Sequence, residues 1–161
     1  LEFNGSQNIS ASRATVWQRL NDPRTLQECL PGCERYEQAE DGSYDAVIAA
    51  SVGPIKARFK GSARFLDLRE DTGYRIEGNG SGGIAGFGKL IADVHLEDID
   101  GGTALHYTAT AQLGGKLAQI GSRLVGAVAN KFLADFFSRF EKLVSECEDA
   151  AAPQSMTIVI L

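Results

Sequence analysis

Ile55-Lys56-Ala57-Arg58-Phe59-Lys60-Gly61-Ser62-Ala63-Arg64-Phe65 alternates between apolar or small residues and polar or basic ones. A run with period two reads as a strand with one face on a core and the other in water. Residues 44–52, just before it, carry an apolar face on Tyr44, Ala46, Ile48, Ala50 and Val52. Between the two runs lies Gly53-Pro54. If that pair is a two-residue turn, Val52 faces Ile55, Ala50 faces Ala57 and Ile48 faces Phe59, so both apolar sets fall on one side, as register demands.

The same test works further along. Asp100-Gly101 is a hairpin signal, and folding there sets Ile99 against Gly102, Leu96 against Leu105 and Val94 against Tyr107. The inner face becomes Leu90, Ala92, Val94 and Leu96 against Leu105, Tyr107, Ala109, Ala111 and Leu113. Residues 74–80 add a strand with Tyr74 and Ile76 inward, and 2–9 and 33–38 bring the sheet to about seven antiparallel strands. Ser12 is a candidate N-cap for a short helix through residue 20, with Val16, Trp17 and Leu20 on one side. Asp22-Pro23 starts a second helix, and Pro31-Gly32 stops it. After Gly114-Gly115 the period changes. Leu117, Ile120, Leu124, Val128, Phe132, Phe136, Phe140 and Leu143 form one apolar stripe. This predicts an unbroken helix over 116–147, roughly 48 Å long. Pro153 is expected to block its continuation. The expectation is therefore an α+β fold, a sheet wrapped round a long C-terminal helix, with one domain over 1–149 and a tail over 150–161.

Composition narrows the function. The chain has 161 residues and a formal net charge of −5, which argues against non-specific nucleic-acid binding. No apolar stretch approaches the roughly 20 residues of a membrane span, and no signal peptide is recognisable. Leu1 is not an initiator Met, so the true start is missing or altered. Three cysteines do not suggest a disulfide framework and favour a reducing cytoplasm.

The inward positions hold many small residues: Ala46, Ala50, Ala57, Gly61, Ala63, Gly78, Gly80, Ala92, Ala109 and Ala111. The helix has its own small cluster at Gly121, Ser122, Gly126, Ala127 and Ala129. Either the helix lies very close to the sheet or space is left for a ligand. The candidate walls of that space are Ile48, Phe59, Val94, Tyr107, Leu124 and Val128, with Gly121 beside them; their chemistry suits a greasy molecule.

Other features have two readings each. Gly78-Asn79-Gly80-Ser81-Gly82-Gly83 matches a dinucleotide fingerprint in letters only, since no helix follows and no βαβ unit surrounds it. It reads as a structural turn or, with Gly82, Gly83, Gly86 and Phe87, as a gate to the cavity. Cys29 and Cys33 read as a structural corner before a redox pair, and metal ligation lacks further ligands. His95 and His106 face each other on the wet side, as solvated surface histidines or a pH-responsive or adventitious metal-binding pair. No metal site and no catalytic residue is assigned, because no His remains for a Ser-His-Asp arrangement in the pocket and paired inward carboxylates are absent. Lys56, Arg58, Lys60 and Arg64 form a basic stripe, read either as edge protection or as a docking surface for an acidic partner or an anionic membrane.

Several strings together resemble one family. They are Asn4-Gly5-Ser6, Val16-Trp17, Asn21-Asp22-Pro23, Cys29-Leu30-Pro31-Gly32-Cys33, Val52-Gly53-Pro54-Ile55-Lys56-Ala57, the segment 80–88 and Gly114-Gly115-Lys116-Leu117-Ala118-Gln119-Ile120-Gly121-Ser122-Arg123. The chain resembles the CoxG family of carbon monoxide dehydrogenase proteins over about residues 2–145. The resemblance implies the START/Bet v1-like helix-grip fold and a non-catalytic accessory role beside molybdenum-containing CO dehydrogenases and related hydroxylases. It implies recruitment of the enzyme to the inner face of the plasma membrane, and a cavity suited to a quinone or lipid, with no resident cofactor. Family members commonly extend into a linker and apolar tail, whereas this chain stops at Leu161. The alternatives are a polyketide cyclase/aromatase-like enzyme, since that chemistry occurs in the same fold class, and a ligand-free assembly factor.

Overall fold

The computed structural model describes the backbone of residues 1–160 and the side chains of residues 1–146. Seven strands, β1 (Glu2–Ile9), β2 (Cys33–Gln38), β3 (Tyr44–Val52), β4 (Ile55–Arg69), β5 (Gly73–Ser81), β6 (Phe87–Ile99) and β7 (Gly102–Gly114), form one antiparallel sheet. Its order is β1-β7-β6-β5-β4-β3-β2. The helices are α1 (Arg13–Leu20), α2 (Pro23–Cys29), α3 (Lys116–Ile120) and α4 (Ser122–Ile160), and a 3-10 turn covers Gly83–Ala85.

Both hairpins fold in the register their sequences demand. Val52 pairs with Ile55, Ala50 with Ala57 and Ile48 with Phe59. Ile99 pairs with Gly102, Leu96 with Leu105 and Val94 with Tyr107. Gly53 has φ 61°, and a tight hairpin needs glycine at a first central position of positive φ. The helix starts also follow their signals. Ser12 Oγ accepts from the Thr15 amide at 3.2 Å, and Asp22 Oδ1 accepts from the Arg24 amide at 3.1 Å, with Pro23 opening α2.

The strand directions give the molecule two unlike ends. At one lie the 53–54 turn, the 82–86 segment and α3; at the other lie the loops 39–43, 70–72 and 100–101, together with α1. The close-packed core belongs to the second, closed end. There Phe136, Phe137, Phe140 and Val144 of α4 meet Val16 and Leu20 of α1, and Val94, Leu96 and Leu105 of the sheet. Arg13 ties this end together, its Nε donating to Asp98 Oδ1 at 2.8 Å and its Nη1 to the Asp71 carbonyl at 2.9 Å.

Two expectations are corrected. The C-terminal helix is not continuous from residue 116, because the chain breaks at Gly121 (φ 102°) into α3 and α4. The apolar stripe spans the break, so periodicity cannot reveal it; glycine supplies the backbone conformation. At the other end α4 runs on to Ile160, past Pro153. A proline removes one amide and crowds the carbonyl of the preceding turn, which can bend a helix without ending it. The side chains of the expected tail lie outside the described residues, and the division at residue 149 stands as a proposal.

Candidate functional site

The two ends of the sheet's inner face differ in how they are filled. Toward the open end, Ala46, Ile48, Ala50, Ala57, Phe59, Gly61 and Ala63 are only half-buried. None of them belongs to the packed core. Gly126 of α4 is half-buried, yet a Cβ placed on it would meet no heavy atom within 4 Å. On Gly78 and Gly80 a Cβ would touch only the backbone carbonyls of Ser62 at 3.6 Å and Lys60 at 3.7 Å, which is ordinary contact. A glycine that admitted a close neighbour would show a clash on gaining a methyl group. Helix-to-sheet crowding therefore does not explain Gly126; space lies beside it.

The expected wall residues divide between floor, rim and mouth. Val94 is 8% exposed and part of the packed core, so it is floor rather than wall. Tyr107 stacks on Phe137 with centroids 5.9 Å apart. Its hydroxyl lies over Gly5, 2.6 Å from where a Cβ would stand, and takes no hydrogen-bond partner among the described residues. Ile48 and Phe59 face each other across β3 and β4, and the Phe59 ring lies against Gly82. Leu124 is 40% exposed and covers Gly53 at the hairpin tip, while Val128 is half-buried one turn further along α4. Gly121 is exposed and borders a hollow of about 370 Å³ with Leu113, Leu117 and Val125. A second hollow of about 430 Å³ lies at the β3–β4 tip, bordered by Ala50, Ala57, Lys56 and Arg58. Both are open depressions near the same end, and neither is an enclosed chamber spanning Ile48 to Val128.

The glycine-rich connection takes a defined shape. The Gly82 amide donates to the Gly86 carbonyl at 2.8 Å, which closes the loop round the 3-10 turn. Gly86 is buried at φ 118° against the Gly114 carbonyl and Leu117. Gly83 lies in the open. Phe87 does not face the cavity: it begins β6 on the outer face, 53% exposed, with its ring over Gly114. Sequence reasoning missed Ile84, which this turn holds 85% exposed. An isoleucine between glycines was the available signal.

Lys56, Arg58, Lys60 and Arg64 all point outward from β4. Edge protection does not account for them, because β4 is an interior strand between β3 and β5. Arg58 Nε lies 2.7 Å from Glu34 Oε1, and that hydrogen bond, then the carboxylate's charge, raises the guanidinium's pKa above its ordinary value. His95 and His106 stack on the outer face at 6.3 Å, with His106 Nε2 3.0 Å from Glu97 Oε2. Cys29 and Cys33 are free thiols. Burial first, and the nearby Glu28 charge second, push Cys29 up to about 11, so it is a poor nucleophile near neutrality.

The inner surface is chemically plain. The buried polar side chains are Thr25, Ser43 and Thr103, and among the described residues no buried side-chain nitrogen or oxygen lacks a hydrogen bond. Thr103, for example, donates to the Ala11 carbonyl at 2.7 Å. Among the described residues no group of three or more His, Cys, Asp or Glu side chains gathers to hold a metal. Nor is any described helix long and apolar enough to cross a membrane.

A curved antiparallel sheet closed by a C-terminal helix, with two short helices after the first strand, defines a START/Bet v1-like helix-grip protein. Within that class the chain belongs to the carbon monoxide dehydrogenase CoxG family, whose model matches residues 5–145. A conserved protein from Geobacillus kaustophilus superposes with a TM-score of 0.85 at 31% identity, covering 91% of this chain and 96% of that one. Ara h 8.0201 is similar in fold alone: TM-score 0.66, 15% identity, 91% of this chain and 98% of that one. An uncharacterized protein from Rhizobium leguminosarum gives 0.68 at 15% identity over 91% and 95%. No curated protein matches the sequence.

Proposed function

We propose that this protein is a non-enzymatic accessory factor of a CO dehydrogenase-type molybdenum enzyme, which holds an apolar molecule, a quinone or a lipid, between the open half of the sheet and α4. Family membership supports the accessory role in general. The observation that carries the ligand reading is the unfilled space beside half-buried Gly126, opposite a sheet face of half-buried apolar residues. Apolar surface left partly wet is unfavourable by roughly 25 cal/mol per Å², so a greasy occupant that dries Ile48, Phe59 and Val128 gains free energy. Few polar groups face that space, which suits a ring and a hydrocarbon chain better than a sugar or nucleotide. The Tyr107 hydroxyl is the one donor we assign to a quinone carbonyl.

The protein should serve its enzyme at the inner face of the membrane, taking the molecule up there and releasing it to the partner. The test is an equilibrium titration with a short-tailed quinone, followed by the rise in Tm that a ligand binding only the folded state must produce. Saturable binding is expected in the wild type, weakened at least about tenfold, or about 1.4 kcal/mol, by Gly126→Leu. A wild type that binds no quinone and no fatty acyl lipid would contradict the carrier reading and favour a ligand-free assembly role.

A further inference from the structure

The charges of this acidic chain are separated along its length. Residues 46–63, 78–92 and 108–130 contain no Asp or Glu, although the chain has 21 of them; they carry Lys56, Arg58, Lys60, Lys89, Lys116 and Arg123. These three segments are the open-end halves of β3 to β7 with their turns, α3 and the start of α4. The closed-end loops are acidic instead, with Glu40 and Asp41, Asp67, Glu70 and Asp71, and Asp98 and Asp100. Two carboxylates approach the basic end from outside these segments. Glu34 is taken by Arg58 at 2.7 Å, and Glu2 sits at the start of β1 opposite Thr110. Lys56, Lys60 and Lys89 have no ion-pair partner among the described residues.

The basic end also carries protruding apolar side chains. Ile84 on its 3-10 turn, Phe87 and Leu124 are all substantially exposed there. They stand on a turn, a strand start and a helix start, so they project separately rather than forming a flat apolar patch. A protein interface concentrates its apolar anchors in a central dry patch. Isolated apolar tips among unpaired lysines match an anionic lipid surface, where the tips enter the acyl boundary and the cations meet head groups.

We propose that the protein docks by this end, with the 53–54 turn, the Gly83–Ala85 turn and the first turn of α4 against an anionic phospholipid bilayer. The inference rests on the carrier reading for its purpose, since both hollows open at the same end. The acidic closed end points away from the bilayer, repelled by it.

The test is flotation of the full chain with quinone-free vesicles of phosphatidylglycerol and phosphatidylcholine, against vesicles of phosphatidylcholine alone. Flotation is expected only with the anionic vesicles and should disappear near ~1 M salt, where the Debye length falls to about 3 Å. Lys56→Glu with Lys60→Glu should lower partitioning at least about tenfold, and Ile84→Ser several-fold, because each basic residue and each apolar tip contributes separately. All three positions are exposed or outward-facing, so folding should be intact by circular dichroism. Arg139→Glu with Lys142→Glu makes the same change in net charge near the closed end and should leave flotation unchanged. Equal loss in both double variants would overturn the docking face. So would absence of flotation in the wild type, and retention on immobilised polyglutamate without flotation would assign the end to an acidic protein instead. Because the vesicles hold no quinone and the titration uses none of them, loss of docking and loss of ligand binding are read separately.

Discussion

At the residue scale, two glycines of the C-terminal segment show how the same residue serves different ends. Gly121 adopts φ 102° and Gly126 is an ordinary helical residue beside empty space. Alanine should therefore act with opposite signs. Gly126→Ala should stabilise by up to about 1 kcal/mol through helix propensity alone, while Gly121→Ala should cost about 1–3 kcal/mol of backbone strain; urea unfolding of the two variants checks both. Neither side chain would meet a neighbour, so the contrast isolates conformation from packing. Cys29 provides a pH test. Its folded thiol titrates near 11, whereas an unfolded cysteine titrates at about 8.5. The buried neutral thiol thus contributes stability that is fully present below about 8.5 and is lost as pH rises toward about 11. Urea midpoints measured from neutral to alkaline pH should fall more steeply in the wild type than in Cys29→Ala.

At the scale of elements, alternation and turn chemistry carried most of the fold. Ile55 to Phe65 and the Asp100-Gly101 pair specify their registers because a slip of one residue would turn every side chain to the wrong face. What stayed illegible has a physical cause in each case. The pairing of β1 with β7 joins segments a hundred residues apart, and no local pattern encodes that distance. The break at Gly121 leaves the apolar stripe intact, so a periodicity count passes straight through it. The basic stripe was visible, but whether β4 lay at an edge depended on strand order, which places it inside the sheet. The wall residues were legible as inward positions. Their division into floor, rim and mouth was not, since it depends on how far α4 stands from the sheet.

At the scale of the whole molecule, one end is filled and the other is not. Phe136, Phe137, Phe140 and Val144 close the acidic end, while Gly126, Ala50, Ala57 and Gly78 leave the basic end incompletely packed. Interiors are ordinarily close-packed, so such space is kept at a cost in stability and is expected to have an occupant. The account stands or falls on that occupant. The direct measurement is native mass spectrometry, with organic extraction, of the protein purified from its own host, beside Gly126→Leu purified in the same way. The account predicts a quinone or lipid mass bound to the wild type and much depleted in the variant. A wild type that is empty, and stays empty after incubation with added quinone, would contradict it.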